Sequence, residues 1–509
     1  MELNQENRMF CTSITVLDTV AEQLADVDLT LPDYCPDIEK IIKCTLTPKI
    51  QSKTLSAGQL QIDGSCVVNV MYVDSSKKTI RCCEQSVNFS QSFSVKDVPD
   101  NPVIITKTKS EYINCRALSP RRVVMHGAFS LYAKVKASTK TSIYYSDDPK
   151  LESLRKNVSC SDLKSLCQEQ FNVCEEVSVA DKPAIESIIR SSVDVSITDV
   201  KAVTGKLMIN GEINLKLLYI SDVETGNIEK IDYLIPFNQI IDCEGVDEKT
   251  INNVECEVLS YDIRLKNDML SEKPSIIVDI MLCITEEGFL LRDEEITVDS
   301  YSVYCASKPQ FQQLAISNEV TPVNESQMEK LAVKIDDGKI TKILDIYADN
   351  ITCEQSNSDD GLKAGGKINL CIIAYNEENF PVIIERTFDY EHRFNLSQDY
   401  NSFRNIYPHL SSISYRLADD NTIEIRCEIK LCACAEKTEK VKAVSSMELF
   451  EDKLTAGDDC ALTLYYAKQG ESLWDIAKAH NTRLNLLLSE NSSENITLDS
   501  SQMLLIPKI

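Results

Sequence analysis

The chain has 509 residues, a formal charge of −26 and 43% hydrophobic residues, which leaves room for several compact domains. An acidic balance without a long Lys/Arg run excludes a nucleic-acid-binding reading. No apolar run is long enough to span a membrane, and the 14 glycines and 15 prolines exclude a collagen-like or low-complexity chain.

The N-terminal segment, 1–14, has neither a basic head nor an apolar stretch, so no export signal is expected. An unexported chain is expected to keep its 20 cysteines reduced. There is no CxxC pair, and Cys160, Cys167 and Cys174 recur at a spacing that would mark one stripe of a helix. The four histidines lie far apart in sequence, so no metal site is expected.

Self-comparison organises the rest. "CPDIEKIIKC" at 35–44 returns as "KPAIESIIRS" at 182–191. One constant offset relates Pro36 to Pro183, Ile38 to Ile185, Gly64 to Gly211 and Tyr72 to Tyr219. The "IEKII" stretch is predicted as a short helix. The segments after it alternate: Leu60, Ile62, Gly64, Cys66, Val68, Val70 and Tyr72 share one face, as do Leu207, Ile209, Gly211, Ile213, Leu215, Leu217 and Tyr219. The glycine inside each strand suggests a bulge or a bend. A fainter third copy pairs "GKITKILDIYADN" (338–350) with "GGKINLCIIAYN" (365–376), where Ala374 replaces the tyrosine. Further strands are predicted at 121–138, 274–286 and 422–436.

The expected fold is mainly β: tandem sandwich-like repeat domains of about 150 residues. The expected bounds are 15–165, 166–318 and 319–450, then a linker, 451–462, and a small βααβ domain, 463–509. In that last domain Ser472 is expected to cap one helix and Thr482 a second.

No catalytic motif stands out, and no cofactor site. The acid pairs Glu286-Glu287 and Asp359-Asp360 read as solvated loop charges. Asp419-Asp420-Asn421 reads as a turn, and Tyr72 and Tyr219 as core residues. The chain is therefore not expected to be an enzyme.

The last segment resembles the LysM domain. Tyr465 or Tyr466, Gly470, Leu473, Trp474, Ile476, Ala477, Asn491, Gln502, Leu504, Ile506 and Pro507 match its pattern. Glu471-Ser472 and Ser500-Ser501 depart from it. The resemblance implies a groove for N-acetylglucosamine-containing glycan, peptidoglycan or chitin-like, built from Gly470, Glu471, Ser472, Ile496, Thr497 and Leu498, with Trp474 beside it.

The repeats are similar to the SPOCS domain, and SPOCS repeats with a terminal LysM domain resemble SipL-type spore-coat morphogenetic proteins. That resemblance implies a scaffold in the mother-cell cytosol at the forespore surface. Its implied partners are spore coat proteins and a coat-basement ATPase. The competing expectation is a peptidoglycan-binding cell-wall protein.

Overall fold

The computed structural model describes residues 6–76, 79–96, 100–179, 182–266, 275–335, 338–358, 361–419, 421–453, 462–493 and 495–507. Asp359, Asp360 and Asp420 of the acid pairs and turn fall outside these residues, as does most of the linker.

The first block of strands comprises β1 (Glu6–Thr30), β2 (Ile38–Ser56), β3 (Gln59–Asp74), β4 (Ile80–Ser94), β5 (Val103–Ser119) and β6 (Arg122–Tyr145). They form two sheets, β2-β3-β4 and β1-β6-β5. The second block repeats this plan: β7 (Leu151–Ser178), β8 (Ser187–Val203), β9 (Lys206–Asp222), β10 (Asn227–Asp242), β11 (Ile251–Lys266) and β12 (Ser275–Ser302). Its sheets are β8-β9-β10 and β7-β12-β11.

The third block is β13 (Cys305–Lys334), β14 (Ile340–Ile351), β15 (Glu354–Ser358), β16 (Gly361–Asn376), β17 (Pro381–Arg393), β18 (Ser402–Asp419) and β19 (Thr422–Lys453). Here β14, β15 and β17 all pair with β16, and β13-β19-β18 form the larger sheet. In each block the two long outer strands pair antiparallel, as β1 does with β6. The mainly β expectation therefore holds, with every strand pair antiparallel.

The alternating runs form β3 and β9 and supply the inner faces. Leu60, Ile62, Val68, Val70 and Tyr72 pack against Val123, Met125, Phe129 and Leu131 of β6 in one core. Leu207, Ile209, Ile213 and Leu215 pack in the same way against Ile276, Val278 and Ile280 of β12. Tyr72 and Tyr219 are fully buried, as expected, and each hydroxyl donates to the carbonyl of its motif proline, Pro36 or Pro183. The buried phenol is thereby satisfied, and the proline segment is pinned over the end of the core.

The strand glycines make room for an aromatic ring. A Cβ on Gly64 would lie 2.6 Å from Phe89 and 2.3 Å from the Lys49 carbonyl. One on Gly211 would lie 2.4 Å from Phe237. The bulge lies across from the glycine, on the partner strand, where Gln51 and Thr198 are skipped.

The "IEKII" helix is not formed. β2 begins at Ile38, and its second copy runs from coil into β8 at Ser187. Two register shifts explain the misreading: β2 skips Glu39 and Ile42 against β3. Each skipped residue breaks the two-residue alternation, so Ile38, Ile41 and Ile42 imitate a helical spacing. Ile38 and Ile41 face their own core, whereas Ile42 packs elsewhere. The equivalents Ile189 and Leu344 are skipped as well. All three join one core shared by the three blocks, with Met71, Ile80, Leu218, Ile220, Cys371 and Ile373. A second shared core joins Phe10 and Ile143, Val158 and Ile296, and Leu314, Ile316 and Val441.

Two more expectations are corrected. Cys44–Cys115 and Cys167–Cys243 are disulfides, each crossing the core of one block. Cys160, Cys167 and Cys174 lie on a strand, β7, rather than a helix. Sequence spacing did not show the pairings, because each joins residues more than 70 apart.

Candidate functional site

The C-terminal module consists of β20 (Leu462–Ala467), α1 (Leu473–Ala479), α2 (Leu484–Glu490) and β21 (Gln502–Pro507), with β20 and β21 antiparallel. Leu473, Ile476, Ala477, Leu487, Leu498, Leu504 and Ile506 form its core. Asn491 locks the fold: its Nδ2 donates to the Leu487 and Leu505 carbonyls, and its Oδ1 accepts from Leu505 N–H.

The residues expected to line the groove are brought together. Gly470 N–H donates to Leu498 O at 2.9 Å, Leu498 N–H to Glu471 O at 3.1 Å, and Leu473 N–H to Ile496 O at 2.7 Å. Ser472 and Thr497 form an isolated bridge. Gly470 has φ +86°, a turn conformation that favours glycine. Gly470, Ile496 and Thr497 are exposed, and Glu471 and Ser472 half-buried. Leu498 is only 4% exposed, so it offers the loops its backbone and the core its side chain. Glu471 also accepts from the Tyr465 hydroxyl.

Neither expected helix cap forms. Ser472 occupies the N-cap of α1 without a side-chain hydrogen bond, and Arg483, not Thr482, is the N-cap of α2. Thr482 is buried, and its carbonyl accepts from the Tyr301 hydroxyl at 2.7 Å.

Trp474 serves a seam with the β body. It is 3% exposed, its Nε1 donates to Asp299 Oδ2 at 2.8 Å, and its ring meets Tyr301 edge-on. Lys478 holds both Asp299 oxygens at 2.7 and 2.8 Å. Arg483 reaches the Pro149 carbonyl and the Tyr304 hydroxyl. Tyr301 at the end of β12 and Val303 just after it belong to the module's own core. Sequence reasoning missed this seam, since Asp299 lies 175 residues from Trp474.

The acid pair Glu286-Glu287 is buried on β12, at 0% and 2% exposure, instead of solvated in a loop. Glu287 takes Lys136 at 3.1 Å, Arg404 at 3.6 Å and the Ser13 hydroxyl at 2.9 Å. Burial pushes its carboxyl up, but Arg404 and Lys136 outweigh burial and hold it below the usual range. Glu286 points away from these cations, and burial pushes it up to about 7.

Between the blocks lies a cavity of about 480 Å³, lined in part by Lys107, Glu255, Glu257, Tyr407 and His409. Its charges are used within it: Tyr407 donates to Glu255, Lys107 lies over the Tyr407 ring, and Lys53 pairs with Glu257. Burial raises Glu255 to about 7, against the opposing Tyr407 hydrogen bond. A raised acid favours the protonated fold, so its contribution is complete below about pH 4.5 and is lost as the pH climbs through about 7. Urea midpoints should therefore fall over that window. Glu255→Gln should remove on the order of 3 kcal/mol from the total loss across that window; an unchanged loss would contradict the assignment.

The sequence profile described as SipL, SPOCS domain matches residues 37–118 and 184–266, and that of the LysM domain matches 465–507. The two SPOCS matches cover β2 to β5 and β8 to β11, without the long outer strands. No curated protein and no solved structure matches the chain significantly. These families are non-catalytic binding domains, and their names belong to sporulation and to peptidoglycan binding. The chain therefore carries two SPOCS domains of the SipL type, followed toward its C-terminus by a LysM domain.

Proposed function

We propose that the chain is a non-enzymatic scaffold of spore-coat assembly, which docks coat proteins at the forespore surface through the LysM module. The observation that carries this reading is the way the module is mounted. Its helical side is fixed to β12 through Trp474, Lys478 and Tyr301, while the Gly470–Ser472 and Ile496–Thr497 loops stay accessible. A recognition loop held on a rigid body loses little further entropy on binding. Glu287, Lys136 and Arg404 pair across the blocks, as structural networks do, and three fused β blocks offer a broad surface for assembly. On this reading the loops take a protein partner, such as a coat-basement ATPase, in the mother-cell cytosol.

The LysM match favours a second reading, in which the same loops hold an N-acetylglucosamine polymer. One pair of experiments separates the two. The paired substitution Glu471→Lys and Thr497→Arg changes the loops and spares the seam. Fused to a fluorescent protein in sporulating cells, this variant should spread through the mother cell, whereas the wild type encases the forespore. Encasement by the variant would refute docking through the loops. Co-sedimentation of the wild type with purified peptidoglycan, lost in the variant, would move the assignment to glycan.

A further inference from the structure

The second block contains a cluster that the proposed function does not use. Cys167 of β7 lies in register with Glu286 of β12, and Cys243 follows β10. One ligand atom from each, two sulfurs and a carboxylate oxygen, lies within 4.8 Å of the other two. Glu286 is fully buried, and no ion pair reaches it among the described residues. Its oxygens accept from the Ser165 hydroxyl at 2.7 and 2.8 Å, and Oε2 lies 3.4 Å from Cys167 Sγ.

A second observation comes from the neighbouring strand. Asn252 Oδ1 is buried and has no hydrogen-bond partner. It opens toward the Glu286 carboxylate: a Cβ on Gly288 would lie 2.3 Å from Ser165 Oγ, 2.5 Å from Glu286 Oε1 and 3.0 Å from Asn252 Oδ1. The glycine thus keeps a space that three oxygens face. A buried carboxylate without a cation and an orphaned amide oxygen are both costly. A divalent ion would satisfy the two together.

We propose that the reduced chain binds one thiophilic divalent cation of the zinc type through Cys167, Cys243 and Glu286, with Asn252 Oδ1 as the oxygen that can complete the shell. Two thiolates with oxygen donors suit tetrahedral zinc, whose bonds to sulfur are about 2.3 Å and to oxygen about 2.0–2.2 Å. The disulfide is the alternative state of the same pair. A small dithiol opens it by exchange at the half-buried Cys167: the dithiol becomes a disulfide, and two electrons and two protons pass to Cys167 and Cys243. Metal binding then releases those two protons, together with any proton held by the Glu286 carboxyl. The site is absent from any local motif because its ligands come from the interiors of β7 and β12 and from the residue after β10.

The test uses the full chain, reduced by a small dithiol, freed of reductant and metal under anaerobic conditions, and titrated with Co²⁺. One equivalent should bring a sulfur-to-cobalt charge-transfer band and intense tetrahedral d–d bands, both displaced by Zn²⁺. Cys167→Ser should abolish the band. Glu286→Gln keeps both thiols and nearly the same shape, so it guards against loss of the fold, and it should weaken binding at least ~10-fold. Ser165→Ala, which removes only the orienting hydroxyl, should weaken it by about 10–100-fold. The double variant Cys44→Ser, Cys115→Ser should keep the band. No band in the reduced wild type, a band that survives in Cys167→Ser, or wild-type affinity in Glu286→Gln overturns the proposal.

Discussion

Replacing Glu287 by alanine is expected to destabilise the chain by about 3–5 kcal/mol, because it leaves buried Lys136 without its anion and takes one of two anions from Arg404. Lys136 comes from the first block and Arg404 from the third, with side chains 9% and 14% exposed. Arg404 keeps a second partner in Glu436 at 2.8 Å; Lys136 has no other ion pair among the described residues. The damage should therefore appear at the junction between blocks. Urea unfolding of Glu287→Ala and of the near-isosteric Glu287→Gln measures it. If charge is the cause, the glutamine variant should be almost as unstable as the alanine one. A cost below about 1 kcal/mol in both would mean that the pair is replaceable.

The second large effect is expected at Trp474. Truncation to alanine removes a buried aromatic, its contact with Tyr301 and the hydrogen bond to Asp299. Large-to-small changes of this kind cost about 3–5 kcal/mol. The LysM module should then melt apart from the body, giving an early calorimetric transition in place of a shared one. Asp299→Ala should act in the same direction, because it leaves Lys478 and the indole N–H without their acceptor. In a double-mutant cycle the two should couple by about 0.5–3 kcal/mol. Simple additivity would mean that Trp474 and Asp299 act independently, and single costs below about 1 kcal/mol would mean that the module holds its place by other contacts.

The legible parts of this chain are those whose partners lie nearby or whose pattern is unbroken. One face of the strands at 60–72 and 207–219 is apolar at every second residue, and their buried tyrosines follow from that alternation. The LysM module was legible because its strand pair and most of its core residues lie within one short stretch of sequence. The "IEKII" stretch failed because skipped residues shift the alternation just where a short helix would be drawn. Glu286 and Glu287 failed for another reason: two adjacent acids are usually solvated, and the groups that allow their burial lie at Lys136, Ser165 and Arg404. The loop residues of the candidate groove could be named in advance. The surface that carries Trp474 could not, since only folding brings the end of β12 to it.

The skipped isoleucines have a consequence for how the chain is made. Ile42 emerges from the ribosome with the first block, but its packing partners Ile189 and Leu344 are still to be translated. At about 5–20 residues per second, the roughly 300 residues between Ile42 and Leu344 take on the order of 15–60 s. Until the second block arrives the nascent first block shows water an apolar patch at Ile42, Met71 and Ile80, and until Leu344, Cys371 and Ile373 follow the shared core stays incomplete. Synthesis rather than unfolding is then the moment of greatest risk. Stalled or shortened chains ending before residue 340 should be the species that aggregate or are held by chaperones.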